Sequence, residues 1–275
     1  MPELPETETI ARDLDAAIRG AVIDGVTVSR ADVLREITPD ELKRRAEGIA
    51  IAGVSRRAKL VVLALASGDR IVVQPRFTGA LLLDTGMLAE HERRYSTMAF
   101  HLLDGRVVHY RDVRRLGTVS LMDAERWTEY TARLGVEPLE EAFTPARLAS
   151  AARGSRQAIK KLLMDQRVLV GVGNIYANES LWRACIDPSR VAKTLLDREV
   201  TALHGAIVAV LNESIEARGT SFRDYRDASG ERGAFASSLA VYGRGGLPCP
   251  RCGARLIATH AVDGRQTVFC AKCQF

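Results

Sequence analysis

Four cysteines near the end of the chain have the spacing of a metal site. Cys249 and Cys252 form one Cys-x-x-Cys pair, Cys270 and Cys273 form another, and seventeen residues separate the pairs. This spacing is typical of a zinc ribbon, in which two tight turns present four thiolates tetrahedrally. Because four sulfurs fill the coordination shell, we expect one structural Zn²⁺ with no catalytic role. Two disulfides are the alternative, but the chain has only five cysteines and no export signal is apparent.

A second group of reactive side chains lies in the opening sequence Met-Pro-Glu-Leu-Pro-Glu. Pro2 becomes the first residue if Met1 is removed, and an α-amino group is partly uncharged at neutral pH. Such an amine can attack an aldehyde-like sugar carbon, which gives an iminium that acts as an electron sink. Glu3 and Glu6 flank the amine, and a carboxyl so placed could protonate a sugar oxygen. The alternative is a solvated helix start, where acidic side chains favour the helix dipole.

The composition favours a globular protein with a polyanionic partner. The 275 residues are enough for two domains with their own cores, and the net charge is +5. Because no run approaches the roughly eighteen apolar residues of a membrane span, we expect no membrane association. Reduced cysteines and the absence of an export signal predict a cytoplasmic protein. Cys185, isolated beside Trp182, is predicted to be a buried small apolar residue.

The elements that must position these groups begin with a helix and continue as strands. A helix with one apolar face is expected after Glu6, with Gly20 as its stop. Eight short β-rich segments follow, and regular spacing with turn signals predicts a sandwich or a barrel. These segments are 22–28, 49–54, 60–66, 71–74, 80–83, 99–103, 107–110 and 118–122.

The apolar spacing becomes helical from residue 125 onward. Thr144-Pro145 is an N-cap followed by a first-turn proline, and helical stripes continue from there to Arg218. The glycine-bearing, polar residues after Gly219 are predicted to be a mobile loop. The sequence therefore predicts an α+β protein in four parts. These are a β domain at 1–134, a linker at 135–144, a helical domain at 145–240 and a zinc ribbon at 241–275.

Five dispersed motifs occur together and in the same order in one known family. They are Met1–Glu6, Arg56–Lys59, Met164–Ser180, Val241–Arg244 and the terminal cysteine pattern. The chain resembles the formamidopyrimidine-DNA glycosylases, whose sister branch is endonuclease VIII, and the resemblance covers essentially its whole length. It implies an N-terminal β-sandwich with a terminal helix, a helical helix–two-turn–helix domain and a β-hairpin zinc ribbon.

The resemblance implies a bifunctional enzyme of base excision repair that acts on double-stranded DNA. It would remove oxidised purines such as 8-oxoguanine and formamidopyrimidines, and it would also act at abasic sites. Pro2 would attack C1′ and expel the base, Glu3 would be the general acid, and Glu6 would organise the terminus by hydrogen bonds. The Schiff base would then permit β- and δ-elimination. Lys59 matches a phosphate-contacting lysine that assists elimination, with an ordinary surface charge as its alternative.

The resemblance also implies phosphate contacts in the C-terminal half. Asn174 would contact a phosphate at the helix–two-turn–helix hairpin, and Arg265 matches a zinc-finger phosphate ligand. The alternative for Arg265 is an ordinary solvated charge on the hairpin. Tyr242 and Arg244 are further DNA-binding candidates. The segment 171–174 is not interpreted as a dinucleotide loop, because no predicted strand precedes it.

Excision requires the damaged nucleotide to leave the stack, and other side chains must fill the vacated space. The matching positions are Phe77, Arg114 and Leu116, which we call the wedge residues. Arg114 would hydrogen-bond the orphaned base, while the two apolar side chains would enter the stack; core packing is their alternative. Family members usually have Met at the first apolar position and Phe at the second, so the wedge has exchanged its aromatic member. Thr220 and Ser221, in the lesion loop 219–237, are candidate base contacts.

Two other functions remain compatible with the sequence. Excision of oxidised pyrimidines, as in endonuclease VIII, would keep the same chemistry. A non-catalytic zinc-ribbon protein that binds damaged DNA would need neither Pro2 nor Glu3, so the intact terminus argues against it. We also expect a monomer that is associated with the nucleoid of a bacterium.

Overall fold

A computed structural model of the chain describes residues 2–221 and 225–275. The chain forms two compact units. The first unit comprises Met1–Ala132 and Ile215–Ala236, and the second comprises Arg133–Ser214 and Ser237–Phe275. The four-part division expected from the sequence stays a prediction. Met1 and residues 222–224 of the lesion loop lie outside the described residues.

Two antiparallel sheets form the core of the first unit. Within the described residues, each has four strands, in the orders β1-β6-β7-β5 and β2-β3-β4-β8. The strands are β1 Ile23–Val28, β2 Ile51–Arg57, β3 Leu60–Leu65, β4 Arg70–Gln74, β5 Gly79–Asp84, β6 Ser96–Leu102, β7 Val107–Asp112 and β8 Thr118–Met122. Leu63, Leu81 and Phe100 are fully buried between the sheets. The arrangement is the β-sandwich, and each of the eight predicted segments overlaps one of these strands, with ends that differ by up to three residues.

Helix α1, Leu4–Ile18, packs on this core. Pro5 lies in the first turn, where a missing N–H costs no hydrogen bond, and the buried Ile10, Leu14 and Ile18 recur every four residues. The other α-helices described in this unit are α2 Pro39–Ala46, α3 Glu90–Arg93 and α4 Ala124–Ala132. Of these, α2 and α3 were not predicted from the sequence.

The second unit is helical, with a small hairpin. Its helices are α5 Pro145–Arg153, α6 Ile159–Met164, α7 Asn174–Arg183 and α8 Asp197–Glu216, and its strands are β9 Ile257–Thr259 and β10 Thr267–Phe269. Short 3-10 turns span Ala31–Val33 in the first unit, Ala192–Thr194 in the second, and Phe235–Ser238, which begins in the first unit and ends in the second. The Thr144 hydroxyl accepts the backbone N–H of Arg147, as expected of the N-cap before α5. In the described parts of the chain, no helix is both long and apolar enough to cross a bilayer.

The prediction for Cys185 was wrong, because this residue is exposed. It follows the end of α7 with a left-handed backbone, φ 59°. Its sulfur lies 2.8 Å from the Arg251 guanidinium, which also lies over the Trp182 ring.

Candidate functional site

The N-terminal residues form a buried cluster at the start of α1. Pro2 is buried, and Glu3 and Glu6 are 2% and 1% exposed. One oxygen of Glu6 accepts the Glu3 backbone N–H at 2.8 Å, which forms a capping box. Its other oxygen accepts the Thr220 backbone N–H at 2.7 Å. Because Glu6 uses both oxygens as acceptors, it links the chain terminus to the start of the lesion loop.

Close packing fixes this end of the lesion loop against α1. Gly219 has φ +85°, and a Cβ added there would lie 3.1 Å from Glu6 Cγ. The Arg218 guanidinium bridges Asp13 of α1 and Asp227. Because Arg218 donates to these two carboxylates, they raise its pKa. A side chain larger than hydrogen at position 219 would be strained by this φ and would press on Glu6.

Thr220 and Ser221, the candidate base contacts, take part in hydrogen bonds of the loop itself. Thr220 is 4% exposed and pairs with Ala234 in an isolated β-bridge. The Ser221 hydroxyl donates to the Tyr225 carbonyl and accepts the Gly233 N–H, each at 3.0 Å. These bonds hold the two ends of the loop together.

Lys59 lies in the turn that joins β2 to β3. Ala58 before it has φ 55°, and the Ala58 carbonyl accepts a hydrogen bond from Arg56 at 3.1 Å. Arg56 also donates to Glu8 of α1 at 2.7 Å, and its side chain is 8% exposed. Arg56 is therefore a structural residue that ties the Lys59 turn to α1, while Lys59 itself is half-buried.

The three wedge residues occupy two neighbouring loops of the sandwich. Phe77 is 49% exposed and Leu116 is 38% exposed. The Arg114 guanidinium carbon lies 5.5 Å from the centre of the Phe77 ring, which is within the range of a cation–π contact. The structure thus brings Phe77 and Arg114 together on the surface of the first unit.

Asn174 and the hairpin that carries Arg265 meet in the second unit. Asn174 is the first residue of α7, and its side-chain amide donates to the Gln266 carbonyl at 3.1 Å. Arg265 is exposed in the turn between β9 and β10. Asn178 donates to the Asn174 side chain and accepts the Val268 N–H. These hydrogen bonds attach the start of α7 to the hairpin formed by β9 and β10.

Two buried charged residues of the second unit were not predicted from the sequence. Lys160, fully buried, donates to Thr267 Oγ1 at 2.7 Å and lies 3.3 Å from Asp263 Oδ1. Glu179, also fully buried, accepts the backbone N–H groups of the segment 240–242 at 2.8–2.9 Å. The signal available was a charge inside an apolar helical stretch, which needs a partner when it is buried. Glu179 thus fixes the backbone of Tyr242, and Arg244 nearby is half-buried.

The four cysteines of the ribbon form one cluster. Their sulfurs all lie within 4.8 Å of one another, and Cys252 and Cys270 are 3.5 Å apart. Zn–S bonds of about 2.3 Å place the sulfurs of a tetrahedron about 3.8 Å apart, so the cluster fits one structural zinc and not disulfides. Gln274 supports it from outside: its side chain accepts the Cys270 N–H and donates to the Ile186 carbonyl, each at 2.8 Å.

Models of known families match three parts of the chain. The formamidopyrimidine-DNA glycosylase N-terminal domain matches residues 1–119, and the H2TH domain of the same enzymes matches 134–226. The chain belongs to the formamidopyrimidine-DNA glycosylase family. The zinc finger found in FPG and IleRS matches residues 246–274, which agrees with the geometry of the cysteine cluster.

Relatives within the formamidopyrimidine-DNA glycosylase family match over their full length. The enzyme of Pelotomaculum thermopropionicum is 41% identical over 276 residues, which cover 100% of this chain and 99% of the relative. That of Roseiflexus sp. is 42% identical over 277 residues, covering 100% of both chains.

Solved structures of this family have the same fold. The MutM (FPG) protein of Thermus thermophilus has a TM-score of 0.86 and 36% identity, covering 99% of this chain and 98% of its own. A Lactococcus lactis FPG mutant, in complex with DNA that contains Fapy-dG, has a TM-score of 0.91 and 32% identity over 99% of both chains. A Lactococcus lactis Fpg complex contains DNA with an abasic site.

Proposed function

We propose that this protein is a DNA glycosylase of base excision repair that removes oxidised purines and then cleaves the DNA strand as a lyase. The name shared by the full-length relatives and the lesion DNA in the Lactococcus lactis complexes support the substrate class. The observation that carries the chemistry is the buried terminus, where Glu6 fixes Glu3 directly beside Pro2. Its site of action would be the bacterial nucleoid in the cytoplasm, because its substrate is there.

In the proposed reaction the amine of Pro2, exposed by removal of Met1, bonds to C1′ of the damaged nucleotide as the base leaves. Glu3 donates a proton to the ring oxygen, so that the sugar opens and an iminium forms. Loss of a C2′ proton then expels the 3′ phosphate, and a second elimination expels the 5′ phosphate. Lys59 would contact a phosphate at this site. Glu6 keeps the terminus in place and transfers no proton.

The remaining candidates would bind the DNA. Asn174 and Arg265 would bind phosphates, and Tyr242 and Arg244 would contribute to the same surface. The wedge residues would fill the space left by the extruded nucleotide, while Thr220 and Ser221 would lie near the extruded base. The four cysteines would hold one Zn²⁺, which stiffens the hairpin of Arg265 and takes no part in the reaction.

Borohydride trapping tests this proposal directly. Reduction of the iminium should yield a covalent adduct between the processed protein and a duplex with 8-oxoguanine or an abasic site. The adduct should be absent for protein that retains Met1, in which the Pro2 nitrogen is an amide and cannot form an iminium. If fully processed protein gives no adduct, the proposed amine chemistry is wrong, and the result favours a damaged-DNA-binding protein. A panel with dihydrothymine would reveal a preference for oxidised pyrimidines.

A further inference from the structure

The wedge residues are carried by two loops that one buried carboxylate joins. One loop, 75–78, links β4 to β5, and the other, 113–117, links β7 to β8. Asp112 ends β7 directly opposite Gly79, the first residue of β5, and is 1% exposed. One of its oxygens accepts the Thr78 hydroxyl, and the other accepts the Gly117 N–H at 2.8 Å. Asp112 thus contacts both loops at once.

The Thr78 hydroxyl has a second hydrogen bond within the same cluster. It accepts the backbone N–H of Arg114 at 3.0 Å while it donates to Asp112. A single hydroxyl therefore connects the residue after Phe77 with the backbone of Arg114. We call Thr78, Asp112 and Gly117 the clasp. The clasp reaches each wedge residue through its own backbone or through the next residue along the chain.

Close packing makes the geometry of the clasp specific. A Cβ added to Gly117 would lie 1.9 Å from the Tyr110 hydroxyl and 2.7 Å from the Gln74 carbonyl. The Tyr110 side chain is fully buried, and its hydroxyl lies 3.4 Å from Asp112. Burial and the adjacent Asp112 carboxylate raise the pKa of Tyr110, which therefore stays a neutral donor. The second loop can approach Asp112 only because position 117 lacks a side chain.

Each loop contains one residue with a strained backbone conformation. Arg76 and Arg115 have φ of 50° and 52°, a left-handed conformation that costs a non-glycine residue about 1 kcal/mol. A surface loop with such strain keeps one conformation only if other bonds hold it. The clasp supplies those bonds, and it does so on the inner side of the loops, away from the exposed Phe77 and Leu116.

We propose that the clasp is the positioning device of the wedge, so that it controls excision from paired DNA and not the chemistry at Pro2. This inference rests on the proposed function. A wedge matters only where a stack must be opened and an opposite base is left without a partner. A preformed abasic site in single-stranded DNA has no paired stack to open and no opposite base. Its cleavage should therefore not depend on the clasp.

The test compares Thr78→Val, which removes the hydroxyl at nearly constant volume, with Thr78→Ser, which retains it. The matched control is Thr97→Val, because Thr97 is 2% exposed and its hydroxyl donates to the carbonyl of Tyr110, a residue of β7 outside both loops. Each variant is assayed on an 8-oxoguanine duplex and on a single-stranded abasic oligonucleotide, and each rate is divided by the wild-type rate.

We expect Thr78→Val to lose at least about tenfold on the duplex, because both hydrogen bonds of the Thr78 hydroxyl are lost, and to remain within about twofold on the single strand. Thr78→Ser and Thr97→Val should remain near wild type on both substrates. Equal losses on the two substrates, or an unchanged duplex rate for Thr78→Val, would overturn the inference. Failure of the wild-type protein to form any borohydride adduct would instead contradict the proposed function.

Discussion

Two neighbouring buried carboxyl groups at the terminus have different surroundings, and these suit different roles. Glu6 accepts one backbone N–H on each oxygen, from Glu3 and from Thr220. A carboxylate in this position acts as a fixed acceptor, which is a structural role. Glu3 lies next to the amine of Pro2, so the proposed proton donor is Glu3.

We predict that Glu3→Gln abolishes base excision but leaves measurable cleavage of preformed abasic sites. An amide cannot protonate the sugar oxygen, whereas an open abasic aldehyde reacts with Pro2 without that proton. The measurement is strand cleavage on matched 8-oxoguanine and abasic duplexes. Equal loss of both activities would count against a role for Glu3 in base removal.

Glu6→Gln serves as the contrasting variant. Its amide NH₂ would face a backbone N–H where an oxygen now accepts, so the terminus should lose its position. We expect both activities to fall together by at least about tenfold, since one unsatisfied buried group costs about 1–3 kcal/mol. Retention of abasic-site cleavage in this variant would show that Glu6 does not fix the terminus.

At the scale of elements, the ion pair between Arg56 and Glu8 joins α1 to the hairpin of Lys59. Burial alone would raise the pKa of Glu8, but the hydrogen bonds and charges of Arg56 and Arg12 lower it below its ordinary value of 4.5. A carboxyl with a lowered pKa in the folded state stabilises the fold above its unfolded pKa. That contribution is lost as the pH falls through the folded pKa.

Glu8→Gln should therefore lower the free energy of unfolding by about 1 kcal/mol at neutral pH and by less as the pH falls below 4.5. Urea unfolding at a series of pH values measures this difference. The control is Glu129→Gln, on the exposed face of α4, for which we expect a difference near zero throughout. A Glu8→Gln effect that stays constant down to about pH 3 would contradict the linkage.

The hairpin of β9 and β10 gives a second prediction at this scale. Arg265→Ala should weaken binding to every duplex alike and reduce the salt slope of binding by about one, as for one lost phosphate contact. Arg255→Ala, which removes another exposed arginine of the ribbon, is the matched control. Binding isotherms at several salt concentrations measure the affinity and its salt slope. A defect confined to one sequence or lesion would argue against a phosphate contact.

The elements that could be predicted from the sequence are those with a local signal. The strands of the sandwich are short β-rich segments between clear turns, so their approximate positions follow from the chain alone. Helix α2 has only Leu42 and Ala46 buried and thus no apolar stripe, although its Thr38-Pro39 start has the same capping pattern as the correctly predicted start of α5. The residue types also indicated a possible reactive amine at Pro2, and its role stays a prediction.

The clasp and the contact between Glu6 and Thr220 could not be predicted in this way. Each depends on residues that are far apart in sequence and meet only when the strands pair or the loop docks. Asp112 acquires its role because β7 pairs with β5 in a register that sets it opposite Gly79. Nothing within a few residues of Asp112 indicates that register.

At the scale of the whole molecule, zinc should govern binding but not folding of the sandwich. Binding of the metal and folding are coupled in small zinc modules, so chelation should unfold the ribbon and remove the support of Arg265. We expect one Zn²⁺ released per chain, measured with a colorimetric chelator, and loss of duplex affinity in parallel. Cys252→Ser should reproduce this loss without chelator. Full DNA affinity of the zinc-free protein would exclude a role of the metal in binding.

The hydrogen bond from Thr220 to Glu6 also has a consequence for synthesis. The ribosome makes the N-terminal residues first, yet Thr220, which donates to Glu6, is translated only after about four fifths of the polypeptide. Nascent chains that stall before this point have Pro2 and Glu3 but lack the partner that fixes Glu6. We therefore expect the position of Glu6 to be fixed completely only late in translation.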